Sequence, residues 1–139
     1  MPFFDGSRGR IHHTAWLPDG DVRAVVVFCH GGFGEHLGLY EALGRRLAAD
    51  GIAVHALDAV GHGRSDGERD LMLSWDDYVD DARTLAGLAQ AQHPGRPLVL
   101  MGTPVAAWPR CCWPSGPRSS RRPWWSPRRR PSRCPGSRL

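Results

Sequence analysis

Three stretches of this 139-residue chain hold residue types whose spacing could do chemistry. The first is His30-Gly31-Gly32-Phe33-Gly34-Glu35-His36, directly after an apolar run. Its glycines let backbone amides turn inward toward a ligand oxygen, as an oxyanion hole requires; an ordinary glycine-rich strand-to-helix turn reads the same way. His30 and His36 are candidates for proton transfer or for structural hydrogen bonding. No metal is expected, because no carboxylate or cysteine completes a ligand set. The second stretch is Asp58-Ala59-Val60-Gly61-His62-Gly63-Arg64-Ser65-Asp66-Gly67. Ser65 stands near His62, but adjacency in sequence is not triad geometry, and a flexible glycine loop is not a strained elbow. The third stretch is acidic. Asp76, Asp77, Asp80 and Asp81 read as a solvated face near a helix N-terminus, where the dipole favours acids. His12-His13 straddles both faces of a strand and reads as structural.

The elements that must position these residues alternate in type. Residues 11–16 form a first strand, closed by the turn Pro18-Asp19-Gly20-Asp21. Ala24-Val25-Val26-Val27-Phe28-Cys29 is a continuous β-rich apolar run, the mark of a buried parallel strand. A helix over 39–50 has its spacing at Leu39, Leu43 and Leu47 and a C-cap at Gly51. Another apolar strand spans 52–57, a helix spans 74–92, and a third buried strand spans 97–101. Ser74 caps the second helix, with Asp77 completing an acidic capping box. Such alternation implies an α/β sheet of parallel strands, with function at their carboxyl ends, where both glycine loops leave.

HGGFGEH after one buried strand, LDAVGHGRSDG after the next, a helix opening SWDDYVDDA, and then PLVLMG resemble the α/β-hydrolases. Within them the chain is most similar to the monoacylglycerol lipase, lysophospholipase and serine aminopeptidase group. The resemblance covers roughly residues 8–102, about half of the family's usual domain, and implies the N-terminal half of an α/β-hydrolase sheet with flanking helices. It implies a serine on a G-x-S-x-G elbow after Met101-Gly102, a histidine that takes its proton and an aspartate that orients the histidine. The ester oxyanion is then held by a backbone N–H of the first loop and by the N–H after the serine. Counting back from Gly34-Glu35-His36 assigns Phe33 to that role, and counting forward from His30-Gly31 assigns Gly32, with His30, Gly31, Gly34, Glu35 and His36 as the supporting loop. Lipid-like esters are the implied substrates, and no cofactor is implied. The chain departs from the pattern at the elbow itself. Gly102-Thr103-Pro104-Val105-Ala106 puts Pro104 where the nucleophile belongs, and residues 103–139 contain no Asp, Glu or His. The catalytic triad is therefore expected to be absent and the chain as written inactive.

The composition changes at the same point. Residues 1–102 hold all 14 acidic residues beside nine arginines, formally −5, while residues 103–139 hold nine arginines and no acid, formally +9. The overall +4 thus averages two unlike segments and gives no ground for a nucleic-acid-binding domain. Eight of the 12 prolines and four of the six tryptophans also fall after residue 102, so a disordered tail is expected. A one-base shift of the reading frame accounts for it. Trp is only TGG and Cys only TGT or TGC, so in the shifted frame Trp108-Pro109 must give alanine and Cys111-Cys112 leucine. The junctions from Gly102 to Ala107 can give His-Ser-Gly-Gly-Gly, restoring the elbow ahead of an apolar helix. The division is then 1–102, hydrolase portion, and 103–139, frameshift tail. Two alternatives stand beside this: a non-catalytic fragment that binds nucleic acid or a partner through its basic tail, and a parent with another α/β-hydrolase chemistry. No signal peptide or membrane span is expected, and the cysteines do not form a disulfide framework, so the cytoplasm is the expected compartment.

Overall fold

The strands β1 (Phe3–Gly6), β2 (Gly9–Trp16), β3 (Ala24–Cys29), β4 (Ile52–Leu57) and β5 (Leu98–Gly102) join in one sheet, ordered β1-β2-β4-β3-β5. This computed structural model describes residues 2–31, 34–71 and 74–103. Pairings β3–β4 and β3–β5 are parallel, as the apolar runs require. The sheet is not parallel throughout, however. β1 and β2 form an antiparallel hairpin, and β2 runs antiparallel to β4. The expected first strand thus begins two residues earlier, at Gly9, and gains a partner over Phe3–Gly6 that its short sequence did not announce.

β3 and β4 are apolar at nearly every position because both of their faces are covered. On one face Ile11, Val25, Val27 and Leu57 pack against Tyr78, Ala82, Leu85 and Ala89 of α2 (Trp75–Gln92). On the other, Val26, Phe28, Val54 and Ala56 pack with Leu37, Tyr40 and Leu47. Each fully buried Val, Leu or Phe contributes about 1.5–3 kcal/mol relative to exposure. Residues 37–49 are not one helix. A 3-10 turn, Leu37–Tyr40, leads into α1 (Glu41–Ala49), and Leu39 and Leu43 stay exposed. The buried stripe of α1 is instead Gly44 and Ala48. The indole of Trp16 lies so close that a Cβ on Gly44 would stand 2.2 Å from its ring.

Ser74 caps α2 as its sequence indicates, accepting from the Asp76 N–H. Asp77 does not complete the box; its carboxylate pairs with Arg8 of the β1–β2 turn. Nor is the acidic run wholly solvated. Asp81 is 2 % exposed and accepts from Ser7 N–H (2.8 Å) and Ser7 Oγ (3.0 Å), which ties the hairpin turn to α2. Burial pushes the Asp81 carboxyl pKa up, against the opposing Ser7 bonds.

Candidate functional site

The carboxyl ends of β3, β4 and β5 lie side by side, with Cys29 level with Leu57 on one flank and with Gly102 on the other. The loops that follow are fastened to each other by buried polar contacts. Gly31 N–H donates to Thr103 Oγ (2.9 Å), and Thr103 N–H to the Cys29 carbonyl (3.4 Å). The first residue of the elbow region is therefore hydrogen-bonded to the first glycine of the candidate oxyanion loop. Tyr78 of α2 donates its hydroxyl to the His30 carbonyl from below. Burial and the neighbouring Cys29 push its phenol pKa well above the ordinary value.

Asp58, directly after β4, is the hub of these contacts. It is 1 % exposed. One carboxylate oxygen accepts from Leu37 N–H (2.8 Å) and faces His30 Nε2 at 3.5 Å. The other accepts from Arg64 N–H (3.1 Å) and meets His12 Nδ1 at 2.7 Å. Burial alone would raise its pKa; the bonds from His30, Leu37, Arg64 and His12 outweigh this and hold it well below the usual carboxylate range. The close wrap needs Gly63, whose φ is +50° and whose missing Cβ would sit 2.2 Å from the Asp58 carboxyl carbon.

The sequence-derived candidates separate accordingly. His30 is fully buried, and its Nε2 accepts from Ala59 N–H at 3.3 Å, leaving Nδ1 4.0 Å from Glu35 Oε2. His36 is exposed and caps the 3-10 turn, its Nδ1 accepting from Gly38 N–H at 3.1 Å. Glu35 sits beside Tyr40, whose pKa is pushed up to about 12 by burial and by that carboxylate. Gly34 N–H donates to Asp70 at 3.0 Å. Gly32 and Phe33, the two candidates for the oxyanion N–H, lie outside the described residues, as does Pro104. Ser65 is not in a flexible loop. It is 3 % exposed, donates to the Asp58 carbonyl (2.6 Å) and accepts from His12 N–H (2.8 Å), so its hydroxyl is engaged on both sides. His62 bonds the Val60 carbonyl through Nδ1 at 3.0 Å. Among the described residues no group of three or more His, Cys, Asp or Glu is arranged to hold a metal.

Two members of this cluster escaped the sequence reading. His12 looked like an unremarkable strand residue, and Thr103 like the first residue of a foreign tail. The signal available for His12 was its place on β2, two residues from the His13↔Leu57 pairing that brings the end of β4 alongside.

A mixed sheet flanked by α1 and α2, with glycine loops gathered at the carboxyl ends of its central strands, is the N-terminal half of an α/β-hydrolase fold. The family described as Serine aminopeptidase, S33 matches residues 20–105, and the chain belongs to it. The chain is 44% identical over 93 residues to a monoacylglycerol lipase of Mycolicibacterium smegmatis, covering 67% of this chain and 33% of that protein. Over 87 residues it is 39% identical to human monoglyceride lipase, covering 63% of this chain and 28% of that one. A thermostable carboxyl esterase from Bacillus coagulans superposes with a TM-score of 0.64 at 25% identity, covering 70% of this chain and 34% of the esterase. The chain thus spans about a third of the length of the lipases it matches. Among the described residues no helix is long and apolar enough to cross a membrane.

Proposed function

We propose that the parent of this chain hydrolyses carboxylic esters of the monoacylglycerol or lysophospholipid type, and that the chain as written does not. Residues 1–102 are the hydrolase portion and 103–139 a tail read in a shifted frame. The observation that carries this reading is the Gly31–Thr103 hydrogen bond. It brings the candidate oxyanion loop to the residue that opens the elbow, the arrangement in which an N–H from Gly32 or Phe33 could meet an ester oxygen. At the next position the sequence has Pro104, which carries no nucleophile. A lipid ester fits the printed activities of the relatives, and the cysteine pattern suits a reducing cytoplasm.

The test compares two proteins. One is the chain as written; the other carries one restored base at codon 102 and continues through the locus in that frame. The restored protein is expected to bind a serine-directed phosphonate covalently and to release glycerol from a monoacylglycerol, while the present chain does neither. Phosphonate-sensitive turnover by the present chain would overturn the proposal. So would a restored frame that meets an early stop, or that lacks an Asp and a His after the serine.

A further inference from the structure

We propose that His55 and His93 form a two-nitrogen site for a borderline divalent cation such as Zn2+, Ni2+ or Cu2+. The two Nε2 atoms stand 3.2 Å apart, with the rings edge to face at 63°. An ion about 2.05 Å from each nitrogen would subtend an angle of about 100°, close to tetrahedral. Imidazole nitrogen is a donor these ions favour, whereas Mg2+ and Ca2+ prefer oxygen.

Both nitrogens are held by regular structure. His55 lies in β4, flanked by Ala15 of β2 and Val27 of β3, and is 2 % exposed. His93 is the residue that ends α2, its N–H bonded to the Ala89 carbonyl. It is half-buried, which gives an ion a way in. Burial, His93 and His13 hold the His55 pKa down at about 4, so this ring is neutral at neutral pH. Without metal, one ring donates its N–H to the other. Binding replaces that shared proton with the ion and releases one H+ to solvent. Water completes the coordination, as no third His, Cys, Asp or Glu among the described residues joins the pair. The site is therefore exchangeable, and its effect is to clamp the C-terminal end of α2 to β4.

The experiment uses the full chain with Cys111→Ser, Cys112→Ser and Cys134→Ser, so that thiolates do not compete for metal. Ni2+ is titrated calorimetrically and its effect on the urea midpoint is followed. One equivalent is expected to bind and to raise the midpoint, since a ligand of the native state stabilises it. Mg2+ should leave the midpoint unchanged. His93→Gln should weaken Ni2+ binding about tenfold or more, as losing even an outer-sphere partner of a metal site does. His36→Gln, at an exposed histidine elsewhere, should leave it intact. Because a variant can lose its fold, the parent is also examined by NMR, where paramagnetic Ni2+ should first broaden the ring protons of His55 and His93. No binding, equal binding by His93→Gln, or first broadening at other histidines would overturn the site.

Discussion

Asp58→Asn keeps the shape of the hub and removes its charge, so it tests whether one buried carboxylate holds the loops together. The carboxylate serves Leu37 N–H and Arg64 N–H through different oxygens, with His12 and His30 beside them. An amide has one acceptor oxygen, and its NH2 must then face one of those two backbone donors. A hydrogen bond to a charged group contributes about 1.5–3 kcal/mol, and a buried donor left without a partner costs about 1–3 kcal/mol. Losing one bond and weakening the other from charged to neutral acceptor gives about 3–5 kcal/mol, a large part of the roughly 5–15 kcal/mol of a typical domain. Urea unfolding followed by circular dichroism measures the loss, and amide exchange at Leu37 and Arg64 shows where it falls. The pH dependence has a definite sign. Because the folded pKa is held down, the stability Asp58 contributes is full above the unfolded value of about 3.9 and is lost as pH falls below it. The variant lacks that limb, so the gap between parent and variant should close in acid. A loss under about 1 kcal/mol at neutral pH, with both amides as protected as before, would refute the hub.

Gly63→Ala should destabilise by about 2 kcal/mol or more, from a left-handed residue and a Cβ pressed on Asp58; an unchanged urea midpoint would contradict it. His55 should make the fold acid-sensitive: with its folded pKa at about 4 and an unfolded value of about 6.5, stability is full above 6.5 and falls between the two. A flat ellipticity between pH 6.5 and 4 would count against that. Val99 is 50 % exposed on the edge strand β5, so the chain should aggregate, and Val99→Lys should raise the soluble fraction; equal sedimentation of the two proteins would argue otherwise.

What was legible in the sequence followed local pattern. Ala24–Cys29 and Ile52–Leu57 announce themselves because burial on both faces demands unbroken apolar runs. Ser74 announces α2 because a cap is a property of a few adjacent residues. What was missed depended on distant partners. Leu39 and Leu43 were chosen for the buried stripe by size, yet α1 approaches β2 through Gly44 because the Trp16 indole fills the space. Asp81 sits in an acidic run that looks solvated, and only the approach of Ser7, far away in sequence, makes its burial tolerable. The two glycine loops were found by composition, but the carboxylate that joins them was not, since its four partners come from β2, β3's loop, the 3-10 turn and its own loop.

That distribution bears on how a hydrolase site of this family is assembled. The contacts that fix the loops run between residues 12 and 103: His12, His30, Leu37 and Arg64 on Asp58, Tyr78 on His30, Gly31 on Thr103. None of them uses a nucleophile, a catalytic histidine or its aspartate. The loop scaffold is therefore set by packing and buried hydrogen bonds before any reacting group is in place, which is the order that electrostatic preorganisation requires. A chain that carries Pro104 in place of a serine can keep this scaffold and still lack turnover. For the same reason, restoring the frame needs to supply only the reacting groups and the elements that carry them, on a site whose oxyanion side is already built.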